Sequence, residues 1–253
     1  MAPSAARAVY VYIWCTRSGP FLYHGAEGEE KAVRVLLFGA TGMVGQGVLR
    51  ECLIDPRVES VLVVGRTSVG VQSPKLAELL RPDVGDFSGV EERLRGYDAC
   101  FFCLGISSAG KSEEDYRRIT HDLTIRVAQT LVRLNPGMTF VYITGAGTDS
   151  TEQTGSMWAR VKGQTENELL RMGFKGAYMF RPGVIQALHG IRPRSTTYRV
   201  LYTVLWPVIM LVKAVAPGSM TTTERVGRAM IRVAIDGAPS PILGTREINR
   251  LGA

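Results

Sequence analysis

The stretch "LLFGATGMVGQGV" constrains this chain most. Gly39, Gly42 and Gly45 stand three apart, after the apolar run "VRVLLFGA" and before an apolar-periodic stretch from Met43 to Ile54. A strand that breaks into glycines and then opens a helix builds a cradle for phosphate groups. Gly39 makes the tight turn, Gly42 lets the backbone approach a pyrophosphate, and Gly45 lets helix and strand pack closely. The helix start adds unpaired N–H groups and the positive end of its dipole. A glycine-rich turn without a ligand is the plainer alternative, and the flanking strand and helix argue against it.

Downstream, strand and helix alternate. "SVLVVGR" reads as a second strand over Ser60 to Val64. "PKLAELLRPDVGDFSG" reads as a short helix followed by a weak third strand near Pro82 to Asp86. "VEERLRG" is a helix stopped by Gly96, and "DACFFCLG" is the fourth strand. A long helix is expected from Glu113 to Arg133, with Ile119, Leu123, Val127 and Leu131 at four-residue steps. "TFVYITGAG" is the fifth strand, Ser156 to Arg171 a helix, and "AYMFRPGVI" the sixth strand. Fully apolar strands in β-α repetition predict an α/β fold: a Rossmann-like doubly wound parallel sheet with helices on both faces. The predicted organisation is an N-terminal extension over 1–32, a dinucleotide-binding domain over 33–185, and a small C-terminal helical cap over 186–253. The cap would carry helices from Val200 to Val215 and from Thr223 to Ile235.

The end of the second strand bears on the cofactor. An acid there would accept the ribose 2′-OH of NAD, but the chain reads "VVGRT", which places Arg66 there. An arginine pairs with a 2′-phosphate, so NADP(H) is favoured over NAD(H). A solvated surface arginine is the alternative. Thr67 and Ser68 offer further hydroxyls. Asp86, followed by Phe87, is placed to accept from the adenine amine. Leu104 and Gly105 end the fourth strand, where a glycine lets a cofactor pass close by.

Composition narrows the remaining classes. The 253 residues carry a net charge of +7 and a pI near 9.4, which suits acidic partners without naming one. The arginines are dispersed and not interleaved with aromatics, so nucleic-acid binding is not expected. Cys15, Cys52, Cys100 and Cys103 are too few for a disulfide scaffold. Cys100 and Cys103 form a C-x-x-C inside a strand, where positions three apart face opposite ways, so core packing is expected. His24, His121 and His189 are scattered, and no metal site is expected. Residues 1–32 hold no acid before Glu27 and have a short apolar core from Ala8 to Cys15. A plain extension on a cytoplasmic protein is the preferred reading, with organellar targeting the minority one. The apolar stretch Val200 to Val212 is broken by Pro207 and too short to span a bilayer. It reads as a buried helix or a substrate wall, with membrane-surface contact a weaker option.

"GATGMVG", "VVGR", "GDFSG", "FFCLG", "VYITGAG", Lys162 and "FRPGVI" together resemble the short-chain dehydrogenase/reductase superfamily, in its extended or atypical branch. The resemblance spans about Val33 to Ile185. It implies cofactor contacts at Gly39, Ala40, Thr41, Gly42, Met43, Val44, Gly45, Arg66, Asp86, Phe87, Leu104, Gly105, Thr144, Lys162 and Pro182. It also implies a small-molecule carbonyl or alcohol substrate and a homodimer. Tyr198, Tyr202, Leu205, Trp206 and Met210 suggest an apolar part to that substrate. In the family, a tyrosine four residues before the lysine is the general acid/base, and a serine ending the fifth strand polarises the substrate oxygen.

This chain departs from that pattern. Trp158 stands where the tyrosine belongs, and an indole N–H cannot transfer a proton near neutral pH. The serine's place falls near Gly145 or Ala146, with Thr144 and Thr148 the nearest hydroxyls. Lys162 is expected to hold the nicotinamide ribose, with Thr148 the candidate catalytic hydroxyl. Asp149, Tyr116 and His121 are other groups that could move a proton. The alternative for Lys162 is a surface ion pair with Glu166, one turn on. Two functions follow: an oxidoreductase or epimerase-like enzyme with a non-standard proton donor, or a non-catalytic NADP(H)-sensing regulatory or assembly protein.

Overall fold

Val33, Val35 and Leu37 of the first strand face one way and Leu36 and Phe38 the other, and all five are buried. That two-sided burial makes an apolar run a central parallel strand. The computed structural model describes residues 32–191 and 219–253. The expected N-terminal extension, Cys15, His24, the apolar stretch Val200–Val212 and the substrate-wall residues Tyr198, Tyr202, Leu205, Trp206 and Met210 lie outside the described residues.

The strands are β1 (Val33–Phe38), β2 (Val58–Gly65), β3 (Leu76–Leu80), β4 (Ala99–Phe102), β5 (Thr139–Ile143), β6 (Gly176–Arg181), β7 (Val184–Gln186), β8 (Met220–Thr222) and β9 (Ile242–Gly244). Seven form one parallel sheet in the order β3-β2-β1-β4-β5-β6-β9, while β7 and β8 pair separately. This is the doubly wound arrangement, with its switch point between β1 and β4. The helices are α1 (Met43–Ile54), α2 (Glu113–Arg117), α3 (Leu123–Leu134), α4 (Met157–Arg171), α5 (Thr223–Asp236) and α6 (Thr245–Leu251).

Each sheet face has its own core. On one, Val48, Leu49 and Cys52 of α1 and Val226, Met230 and Val233 of α5 cover Val35, Leu37, Val63 and Phe101. On the other, Val127 and Leu131 of α3 and Leu169 of α4 cover Leu36, Phe38, Phe102 and Phe140. Phe38, Phe102 and Phe140 stack in a row across three strands, with centroids 5.3 and 5.9 Å apart. Each such buried ring contributes about 1.5–3 kcal/mol. Cys100 and Cys103 fall on opposite faces, as strand alternation requires.

Four expectations need correction. The third strand is Leu76–Leu80, and no helix precedes it; Pro82 to Asp86 is loop. Leu79 is buried against the sheet, and Glu78 on the opposite face ties down the loop after β2, so tertiary contacts override the helical propensity of "KLAELL". The helix at "EERL" is a single 3₁₀ turn. The long fourth-unit helix is interrupted by a π turn over Arg118–Asp122. There the Thr120 carbonyl accepts from the side chains of Thr124 and Tyr142, at 2.7 and 3.4 Å. Finally, residues 219–253 are not a cap over the sheet edge. β9 extends the sheet beside β6, and α5 packs on α1, where a Cβ at Gly47 would meet Thr223 Cβ at 2.5 Å.

Candidate functional site

The carboxyl ends of β1, β2 and β4 open onto a cleft of about 580 Å³, a size suited to a small-molecule site. Gly39 through Gly42 form its floor, Gly65, Arg66 and Thr67 one wall, Pro82, Asp83 and Val84 a second, and Cys103 through Ile106 a third. The floor is shaped by contacts no side chain tolerates. Gly39 has φ +77°, and a Cβ there would lie 2.6 Å from the Leu104 nitrogen. A Cβ on Gly45 would lie 2.1 Å from the Gly39 carbonyl oxygen. Gly42 caps α1 without a side-chain hydrogen bond, and no acid lies in the first turn. The first-turn N–H groups of Met43, Val44 and Gly45 therefore have no competing anion at this end. Gly105 lines the cleft with nothing within 4 Å of where its Cβ would be. The free space lies where a pyrophosphate and its riboses run in this architecture, so the residues fit a dinucleotide.

Arg66 is exposed on the cleft wall and makes no ion pair among the described residues. Ser68 beside it donates to Glu78 at 2.7 Å, and Val69 N–H donates to the same carboxylate at 2.8 Å, so Glu78 of β3 holds the loop that carries Arg66. Glu78 was not singled out from sequence; only the pairing of β2 with β3 reveals it. Asp83 is an acid on the cleft wall that the sequence reading also missed, and it faces Arg126 at 3.5 Å. Asp86 is turned out of the cleft: its carboxylate accepts from Ser88 N–H at 3.0 Å and faces Arg81, and the Ser88 hydrogen bond holds its pKa below the usual carboxylate value. Phe87 packs edge-on against Phe38 in the core and does not line the cleft.

Lys162 lies one strand further along, at the carboxyl end of β5. Its ammonium donates to the carbonyls of Thr144 at 3.1 Å and Ile143 at 3.5 Å, and stands 5.7 Å above the Tyr142 ring. Burial pushes its pKa down to about 8, against an upward pull from Glu166. The Lys162–Glu166 surface pair is not what forms. Glu166 is wholly buried and pairs with Arg181 instead. Trp158 lays its indole against Gly147, which has φ +90° and would bring a Cβ to 3.4 Å from the ring. The Thr144 hydroxyl donates to Glu166 at 2.6 Å, away from the cleft. Thr148 is buried, and its hydroxyl donates to Gly145 O at 2.8 Å. The Pro182 carbonyl accepts from Ala146 N–H at 2.8 Å, tying the loop after β5 to β6.

The other proton-transfer candidates are placed elsewhere. Asp149 organises its loop by accepting from Thr151, Gln153 and Thr154, and the Thr151 hydrogen bond foremost lowers its pKa to about 2. Tyr116 is buried. His121 sits in the π turn between Asp122 at 2.8 Å and Glu168 at 3.2 Å. Glu51, His189 and Glu224 converge near one another, but Arg50, Arg228 and His189 already pair with the two carboxylates.

Solved structures of other proteins share this fold. A Bordetella bronchiseptica enzyme, WbmF, solved with NAD+, superposes with a TM-score of 0.62 at 16% identity, covering 88% of this chain and 77% of its own. A short-chain dehydrogenase/reductase of Saccharomyces cerevisiae superposes with a TM-score of 0.58 at 12% identity, covering 85% of this chain and 96% of its own. At these identities the likeness shows the fold alone: a Rossmann-like parallel sheet with flanking helices. By sequence, the chain is 28% identical over 221 residues to the mitochondrial protein fmp52-2 of Aspergillus oryzae, 85% of this chain and 95% of that protein. It is 29% identical over 157 residues to fmp52-1, mitochondrial, of Aspergillus terreus, 60% of this chain and 66% of that protein, just under two thirds. No protein-family model matches the chain. These relatives are named as mitochondrial, so they lend nothing to the cytoplasmic expectation.

Proposed function

We propose that the protein binds NADP(H), with the pyrophosphate over Gly39–Gly45, the 2′-phosphate at Arg66 and the nicotinamide ribose at Lys162. The observation that carries this reading is the glycine floor. Gly39 and Gly45 are sterically obligatory for the turn, while Gly105 faces open space across the same cleft. Bound there, the nicotinamide would supply hydride exchange with a small carbonyl or alcohol. The chain's own residues would orient it: Lys162 as a donor to ribose, Arg66 as a partner for phosphate, Leu104 and Gly105 as the surface along which it lies. In this reading the protein is an oxidoreductase or epimerase-like enzyme whose proton does not come from a tyrosine. Thr148 is the hydroxyl assigned to the substrate oxygen.

A second reading, cofactor sensing without turnover, is favoured by the hydroxyls. Thr144 donates to Glu166, Thr148 donates to Gly145, and Trp158 fills the tyrosine position. The deciding experiment is a calorimetric titration with NADPH and NADH, followed by NADPH oxidation assays over a panel of carbonyl compounds. Binding with turnover supports the enzyme, and binding without turnover supports the sensor. Absence of binding removes both.

The mitochondrial names of the relatives support the organellar reading of the N-terminal stretch. Imaging of the full chain with a C-terminal fluorescent fusion tests it; diffuse cytosolic signal would reject it.

A further inference from the structure

Glu166 is a wholly buried carboxylate one helical turn beyond Lys162. Removing a carboxylate from water is costly unless it is both paired and hydrogen-bonded. Arg181, at the end of β6, supplies the pair: its Nε lies 3.1 Å from each Glu166 oxygen, and its Nη2 also donates to Oε2. The second Arg181 contact, 2.5 Å to the Ser150 hydroxyl, ties the same guanidinium to the loop after β5. Thr144 completes the set. Its hydroxyl donates to Glu166 Oε1 at 2.6 Å, its N–H donates to Phe180 O at 2.8 Å, and its carbonyl receives the Lys162 ammonium at 3.1 Å.

We propose that Glu166 and Arg181 are positioning residues for Lys162, acting through Thr144 to hold the ammonium at the carboxyl end of β5. A lysine side chain has four rotatable bonds and no preferred direction of its own. The planar Arg–Glu fork has a fixed direction, and Thr144 passes it on. Glu166 also brings a negative charge one turn from an ammonium whose charged form burial opposes. Among the described residues, the charged or titratable groups facing Lys162 are Glu166 from its own helix and Tyr142 from β5, with Arg181 of β6 behind Glu166. Burial pushes the Tyr142 hydroxyl well above its ordinary value, which leaves Glu166 as the charge that matters.

The functional meaning of this linkage rests on Lys162 meeting a bound dinucleotide, but the linkage itself is readable without one. The test follows the Cε signal of Lys162 by NMR in the ¹³C-lysine-labelled full chain, assigned by its loss in Lys162→Arg, through a pH titration. Glu166→Gln and Thr144→Val are compared with the parent, together with NADPH affinity. Glu166→Gln is expected to move the Lys162 titration to lower pH. Both variants are expected to weaken NADPH binding about tenfold, the scale of one hydrogen bond to a charged group. Should Glu166→Gln not fold, Thr144→Val carries the test, because it leaves the Glu166–Arg181 pair intact. Variants that melt earlier but keep the parental Lys162 titration and NADPH affinity would overturn the proposal and make the pair purely structural. A shifted titration with NADPH affinity unmoved even in Lys162→Ala would uphold the positioning and reject the cofactor reading.

Discussion

Gly163 lies with its Cα against the Asp149 carbonyl, so closely that a Cβ on Gly163 would stand 1.8 Å from that oxygen. The residue next to Lys162 is thus where α4 meets the loop after β5, and the Asp149 N–H bond to Ala159 O at 3.1 Å closes the same contact. Gly163→Ala must force the two backbones apart. A loss of about 1–3 kcal/mol in urea unfolding is expected, with weaker NADPH binding. An unchanged unfolding midpoint would show that the loop yields freely.

Arg66 separates the two cofactors. Arg66→Ala is expected to weaken NADPH roughly tenfold and to leave NADH nearly untouched, because only NADPH carries the 2′-phosphate. Titrations of both nucleotides at one ionic strength decide it. Equal weakening would mean that Arg66 supports the fold, with no preference for the 2′-phosphate.

The glycine floor makes a steric prediction. Gly45→Ala sets a methyl 2.1 Å from a backbone oxygen that has nowhere to go. Loss of nucleotide binding is expected, together with a lowered melting temperature. A variant that binds NADPH like the parent would show that the turn is not the phosphate site.

How much of this was legible in the chain depends on the range of the contacts. Gly39, Gly42, Gly45 and Arg66 announced the cleft because turn, helix start and strand end are local events. The parallel sheet followed from its two-sided apolar strands. β3 and β9 did not: each is short, and each becomes a strand only by pairing, with β2 and β6 respectively. Asp86 follows the same rule: the sequence suggests that it ends the third strand, and that strand ends at Leu80. For Glu166 the sequence offers only Lys162, one helical turn earlier. Its true partner, Arg181, is reached through the fold, and nothing in the spacing of α4 could point to it.

Lys162 makes a prediction in pH. Its pKa is about 8 in the fold against an ordinary value of 10.5, so between those values the unfolded chain holds more protons than the folded one. Stability should therefore rise as pH climbs through that window, with the full cost of the buried charge present below it. Urea midpoints at either end of the window, compared with Lys162→Met, isolate the effect. A variant with the parental slope would place its origin in another group.

Trp158 bears on turnover. A tyrosine introduced with Trp158→Tyr is expected to leave NADPH oxidation at the parent's rate, because the Thr144 and Thr148 hydroxyls still donate to Glu166 and Gly145. A carbonyl-dependent rise in that variant would show that the rest of the reaction centre is intact and that the indole alone silences it.

Strand β9 and helix α5 bind late elements of the fold to earlier ones. Arg228 reaches Glu51 across 177 positions, and β9 zips in parallel beside β6, about sixty residues earlier. Neither closure can occur before Arg228 and Ile242 have been made, so until then a nascent copy has part of the α1 face of its sheet uncovered. Such non-local pairing slows folding and leaves an apolar surface open to chaperones and to other chains in the meantime. A stop only a few residues before Ile242 would therefore remove far more than a tail: it would leave the sheet with an open edge at β6.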